Sequence, residues 1–194
     1  IFEITTGEDA FSKMDKLEKV HVTGNVATIG QRAFHDSDIL HDLLIDGHVD
    51  VIKQEAFSSC DGLETVNLFG DVKVIEDKAF YECNSLNKVN ITGKVDAIQE
   101  NAFASCDKLT HITLPASLIT LAADTFNGCN NLVDITVSDD NPIYKSIDGV
   151  LLSKDETIVY IYPRKNPITD YVVPASVTTI ATNIFTECDN LVNI

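Results

Sequence analysis

Val49-x-x-Ile52-x-x-x-Ala56-Phe57-x-x-Cys60-x-x-Leu63-x-x-Val66-x-Leu68 is followed, 23 residues on, by Val72, Ile75, Ala79, Phe80, Cys83, Leu86, Val89 and Ile91 in the same order. The spacing holds well beyond this pair. Phe11, Phe34, Phe57, Phe80, Phe103 and Phe126 each stand 23 residues apart, and with Phe185 they account for seven of the nine phenylalanines. Alanine precedes the ring at Ala10, Ala33, Ala56, Ala79 and Ala102, and leucine follows six residues later at Leu17, Leu40, Leu63, Leu86, Leu109, Leu132 and Leu191. A fixed period of this length is the mark of a repeat architecture, in which a unit that cannot bury its own apolar face does so against its neighbours.

Periodicity changes within each unit. Val20-x-Val22, Leu43-x-Ile45, Val66-x-Leu68 and Val89-x-Ile91 alternate apolar with polar residues, as a strand with one buried face does. Gly24, Gly47, Gly70 and Gly93 then mark a turn, expected to use backbone conformations that other residues resist. Ala-Phe-x-x-Cys is too short and dense for a strand and reads as a helical turn with Phe and Cys inward. Stacking such units about 4.8 Å apart gives a continuous core. The predicted fold is therefore an α/β repeat: a right-handed solenoid with one parallel sheet and short helical turns opposite.

These columns resemble leucine-rich repeats, and the full unit is similar to the BspA-like class. The resemblance covers residues 11–137 and 171–194. The commoner leucine-rich consensus places Asn or Cys three residues after the last strand leucine. Here those positions hold Asn25, His48, Asp71, Lys94 and Ser117, so no asparagine ladder is expected there, and the cysteine column lies on the other side of the coil. The resemblance implies a non-enzymatic binding or adhesion module, since members include cell-surface or secreted proteins. A passive spacer displaying other domains is the alternative.

The ruler breaks once, between Phe126 and Phe185, and an insert is expected at 138–170. It holds Tyr144, Tyr160 and Tyr162, and Pro142, Pro163 and Pro167. Val150–Ser153 and Ile158–Tyr162 read as a β-hairpin ended by Pro163, and a strand is expected to resume at Tyr171-x-Val173. Either the insert packs its apolar face on the array, or Tyr144, Tyr160 and Tyr162 form a contact surface. The whole of 1–194 reads as one solenoid domain. Both ends fall inside a repeat, which suggests a piece of a longer chain or ends covered by a partner. Nothing at Ile1 resembles a leader, so a secretion signal is expected to have been removed or never to have been present.

Composition narrows the function classes. The net charge is −16, from 30 acidic against 14 basic residues, and such a field disfavours nucleic acid and anionic membrane surfaces as partners. No apolar run approaches the roughly 18 residues of a membrane span, so this segment is not expected to insert into a membrane. Cys60, Cys83, Cys106, Cys129 and Cys188 share one column, where Met14 and Ser37 stand in the earlier units. Parallel side chains at one-coil spacing neither converge on zinc nor suit a disulfide dihedral, so buried free thiols are expected. His21, His35, His41, His48 and His111 share no column. Asp139, Asp140 and Asp148 lack EF-hand spacing, which makes turn capping the simpler reading and leaves weak calcium binding open. No nucleophile elbow, phosphate loop or dinucleotide fingerprint is present, so no enzyme, cofactor or metal is expected.

The outward strand positions form three columns: Lys19, Asp42, Thr65, Lys88, His111 and Asp134; His21, Leu44, Asn67, Asn90, Thr113 and Thr136; Thr23, Asp46, Phe69, Thr92, Pro115 and Ser138. This polar face is the candidate site for a protein or glycan ligand. Leu44 and Phe69 are its candidate anchor, ringed by Thr, Asn and Asp, and Asp46, Asn67, Asn90 and His111 are the further candidate binding residues of the face.

Overall fold

Each 23-residue coil carries two short strands rather than one, so the stack is built on parallel ladders along two sides. The computed structural model describes residues 4–194. In chain order the strands are β1 (Ile4–Thr5), β2 (Lys19–Val22), β3 (Asn25–Ile29), β4 (Asp42–Ile45), β5 (His48–Ile52), β6 (Thr65–Leu68), β7 (Val72–Ile75) and β8 (Lys88–Ile91). They continue as β9 (Val95–Ile98), β10 (His111–Leu114), β11 (Thr120–Leu121), β12 (Asp134–Val137), β13 (Tyr144–Ile147), β14 (Val150–Ser153), β15 (Ile158–Ile161) and β16 (Thr179–Ile180). One parallel sheet runs β1-β3-β5-β7-β9-β11; the other side of the coil carries β2-β4-β6-β8 and then β10-β12. Val20 pairs with Leu43, Leu43 with Val66 and Val66 with Val89, so the register is the 23-residue period itself.

The second ladder was hidden because its buried residues are three apart, as in Val49 and Ile52. Asp50 drops out of the β5–β7 register while Val49, Val51 and Ile52 stay in it. That irregularity lets Val49 and Ile52 both turn inward, where each is fully buried.

The phenylalanines stack as the spacing requires. From Phe11 to Phe126 successive ring centroids lie 4.9–6.0 Å apart with planes within 17°. Phe57, Phe80 and Phe103 are fully buried.

The turns that carry these rings are not helical, which corrects the sequence expectation. Glu55 and Ser59 on either side of Phe57 have φ of 56° and 55°, and Lys78 and Glu82 around Phe80 have 54° and 58°. Left-handed residues at both flanks interrupt any right-handed helix. Alternate amides leave the coil instead: Glu55, Phe57 and Ser59 donate to the carbonyls of Asp77, Ala79 and Tyr81 at 2.8–3.2 Å. Those between them close the turn locally, Ala56 to Lys53 and Ser58 to Glu55, each at 3.1 Å. The reason for the glycine column is also different from that expected. No left-handed φ occurs at Gly24, Gly47, Gly70 or Gly93. What requires glycine is close approach, since a Cβ on Gly70 would fall inside the Gly47 carbonyl of the preceding coil.

The insert is larger than a hairpin and lies within the stack. β13, β14 and β15 form an antiparallel meander, and β15 then pairs in parallel with β16. All four residues of β14 are buried. Leu151 and Tyr144 join the main core, whereas Val150, Leu152, Val159, Tyr162 and Tyr171 form a second core against Ile184, Phe185 and Leu191. The expected strand at Tyr171–Val173 is reduced to one parallel bridge, Asp170 to Asn193.

Candidate functional site: the outer strand face

The strand register brings the three outward columns together side by side. His21, Leu44, Asn67 and Asn90 are successive partners across β2, β4, β6 and β8, and His111 lies beside Asp134 across β10 and β12. Many of the polar side chains bond to one another along the stack. Asn90 donates to Asn67 at 2.6 Å, and Asn67 donates to Asp42 at 3.4 Å. Thr113 and Thr136 share a bond of 2.7 Å. His21 reaches Asp46 at 2.9 Å, and His111 reaches Asp134 at 2.6 Å. An amide ladder therefore exists, on the outer face rather than in the turn.

Phe69 interrupts this polar lattice with its side chain 49% exposed. Leu44 is only half-buried, so it forms a shallow apolar shelf rather than a second projecting anchor. Asp46 and His111 are exposed, while Asn67 and Asn90 are half-exposed. Together the face offers one large apolar group amid amides, hydroxyls and carboxylates, which suits multipoint recognition. The thiols lie elsewhere: Cys60, Cys83, Cys106 and Cys129 are buried and unpaired in the core.

Two of the three insert tyrosines, Tyr144 and Tyr162, pack into the cores rather than onto an exposed contact surface, which corrects that reading for them. Tyr144 is 5% and Tyr162 3% exposed, because both are core residues; only Tyr160 is half-exposed. The Tyr144 hydroxyl is spent on the array, accepting from the Leu121 amide at 3.0 Å. Burial pushes the Tyr144 and Tyr162 phenols above their ordinary range. Asp139 and Asp140 lie in one turn and Asp148 in another, and the Asp148 carbonyl accepts from Asn166 at 2.8 Å. Among the described residues no three His, Cys, Asp or Glu side chains come together as a metal site. Nor, among those residues, is any helix long and apolar enough to cross a membrane.

A second outward face, on the other ladder, was not singled out in the sequence. There Asp50 sits between Lys73 and His48, and their hydrogen bonds hold its carboxyl below the usual range, Lys73 contributing most.

A solenoid of 23-residue coils with two ladders and a phenylalanine column defines a leucine-rich-repeat protein. Compared with protein families, the chain matches the BspA type Leucine rich repeat region in six copies, over residues 4–110, 50–149 and 157–194, and it belongs to that family. Among solved structures it is similar to the pneumococcal vaccine antigen PcpA, with 24% identity and a TM-score of 0.81 over 94% of this chain and 47% of that one. It is also similar to a leucine rich cell surface protein from Faecalibacterium prausnitzii A2-165, with 28% identity and a TM-score of 0.76 over 98% of this chain and 54% of that one. A leucine-rich repeat protein from Eubacterium ventriosum ATCC 27560 shares the fold at 21% identity and a TM-score of 0.65, over 89% of this chain and 46% of that one. The chain thus spans about half the length of the structures it matches. No curated protein matches it.

Proposed function

We propose that this chain is the non-enzymatic, protein-binding part of a cell-surface or secreted protein, and that its ligand engages the outer strand face around Phe69. The observation that carries the reading is the exposed Phe69 ring in an otherwise polar face, beside the Leu44 shelf and next to Asp46 in its own column. Aromatic groups within a polar surround are where binding energy concentrates at protein interfaces. The surface location is supported by the similarity to the Faecalibacterium protein, a leucine rich cell surface protein. With a charge of −16, the partner surface is expected to be neutral or basic.

One observation favours the passive-spacer alternative: Asn90, Asn67 and Asp42 already bond to each other, so part of the face has its polar groups engaged without a ligand. Capture from an epithelial cell-surface extract separates the two readings. Phe69→Asp and Leu44→Thr together are expected to reduce a specifically retained protein at least about tenfold while stability changes by less than ~1 kcal/mol. Retention of that protein at an unchanged level removes the Phe69 site. Retention of a glycan-bearing fraction that glycosidase treatment abolishes assigns the face to a glycan, and no retention at all favours the spacer.

A further inference from the structure

The phenylalanine turns from Phe11 to Phe80 each pass three hydrogen bonds forward, and the Phe103 turn passes two, from Phe103 and Ser105. In one coil the amides of Lys78, Phe80 and Glu82 donate to the carbonyls of Glu100, Ala102 and Ala104 at 3.1, 2.8 and 3.0 Å. The equivalent amides of the Phe126 turn belong to Asp124, Phe126 and Gly128, and the equivalent carbonyls of the Phe185 turn belong to Thr182, Ile184 and Thr186. Among the described residues none of these six groups has a backbone partner. The insert between them is too short to supply the turn. Val159 to Asp170 is two residues shorter than Ile180 to Asn193, the stretch with which its ends pair, and Pro163 has no amide to give.

A cleft of about 610 Å³ opens where the turn is missing. Asp124, Phe126 and Gly128 line it from one coil and Thr182, Ile184 and Thr186 from the other, with Tyr160 and Tyr162 contributed by the insert. The volume falls in the range of specific ligand sites. Cys188 records the same gap. Cys60, Cys83 and Cys129 each donate to the Phe carbonyl of the preceding coil at 3.1 Å, whereas the Cys188 thiol turns back to Ile184 and Thr186 of its own coil at 3.6 and 3.8 Å.

We propose that this cleft binds a peptide segment of a partner protein, folded as the missing phenylalanine turn and completing the ladder on both sides. Its carbonyls accept from Asp124, Phe126 and Gly128, and its amides donate to Thr182, Ile184 and Thr186. This is a turn-shaped form of strand addition, with main-chain bonds giving affinity and one side-chain pocket giving selectivity. Three amide donors on one wall and three carbonyl acceptors on the other, each at two-residue spacing, favour a polypeptide over a glycan. The pocket beside Phe126 and Tyr162 takes an aromatic side chain. Glu100 and Asp124 line the cleft as carboxylates, while Arg164 is already bound to Asn130 and Glu187, so a basic residue beside the aromatic one complements the charge. A second copy is a poorer occupant, because its own phenylalanine turns from Phe11 to Phe126 are each bonded to a neighbouring coil.

The site differs from the Phe69 face and is testable apart from it. The probe is a fluorescein-labelled peptide of sequence Gln-Arg-Ala-Phe-His-Asp-Ser, that of residues 31–37, read by fluorescence anisotropy against the full chain. Binding is expected. Methylating the probe's phenylalanine amide, which removes the donor to Ile184, is expected to weaken it at least about tenfold. Ala123→Trp or Thr182→Trp, which fill the cleft from exposed positions, are expected to weaken it as much with melting temperatures unchanged, and Phe69→Asp to have no effect. Absence of binding up to about 1 mM probe overturns the proposal, as does equal affinity for the methylated peptide or unchanged affinity in both tryptophan variants. Concentration-dependent dimerisation abolished by Ala123→Trp would assign the cleft to a second copy and likewise overturn it.

Discussion

From Phe57 to Phe126, the cysteine three residues after the ring fills the core and caps a carbonyl of the preceding coil. The Cys83 thiol lies 3.1 Å from the Phe57 carbonyl, and in the earlier coil the Ser37 hydroxyl makes the same bond to Phe11 at 3.2 Å. That shared acceptor explains why Ser37 can stand in a column otherwise held by cysteine from Cys60 onward. Cys83→Ser is accordingly expected to cost less than ~1.5 kcal/mol, against about 1–3 kcal/mol for Cys83→Val, which leaves the Phe57 carbonyl unsatisfied; denaturant unfolding measures both. Burial pushes the Cys60 thiol from 9.0 up to about 12, and Cys83 and Cys106 are raised for the same reason. An unfolded thiol ionises near 9 and the folded one does not, so the folded state holds more protons between those values. Stability is therefore retained below pH 9 and falls as pH rises from 9 towards 12, which melting temperatures across that range will reveal. The glycine column gives a paired test. Gly70→Ala is expected to lose about 1–3 kcal/mol, because its Cβ meets the backbone of the coil before it. Gly24→Ala meets nothing within 4 Å and is expected to change stability by less than ~0.5 kcal/mol.

At the scale of elements, the insert acts as a wedge joining two cores. Leu152→Ala removes packing from the second core alone and is expected to destabilise it by about 2–5 kcal/mol. Hydrogen exchange should then show lost protection over β16 and Leu191, with β6 to β10 unchanged; equal loss throughout would mean the two cores unfold as one. Which elements could be read from sequence follows from how their burial is encoded. The ladder through Val66 and Leu68 alternates simply, and the phenylalanine and cysteine columns recur at one spacing, so both were legible. The turns were not, because Glu55, Lys78 and Glu82 are ordinary helix formers held left-handed by bonds to the next coil, which no local preference announces. The inserted strand β14 was legible as a strand at Val150–Ser153, but its burial on both faces was not. Its neighbouring residues Leu151 and Leu152 face different cores, so a strand buried on both sides carries no alternation. Of the candidate site, Phe69 and its neighbours were legible from column position alone. Tyr144 and Tyr162 lie off the regular frame, where composition suggested a surface and packing made them core.

For the whole molecule, everything rests on coils laid in register, since that places Phe69 beside Asp46 and leaves a missing rung at the insert. The stack also concentrates negative charge, and salt is expected to strengthen self-association by screening it. The register is tested most directly by spin labels at Lys19→Cys and Lys88→Cys in a Cys188→Ser background, where the remaining thiols are buried. Those positions share one column three rungs apart, and the backbone separation is expected to be about 14 Å with a narrow distribution, allowing for the labels' own length. A separation well above ~25 Å, or one that does not shrink when the second label moves to Asp42→Cys, would contradict the stacked-coil account.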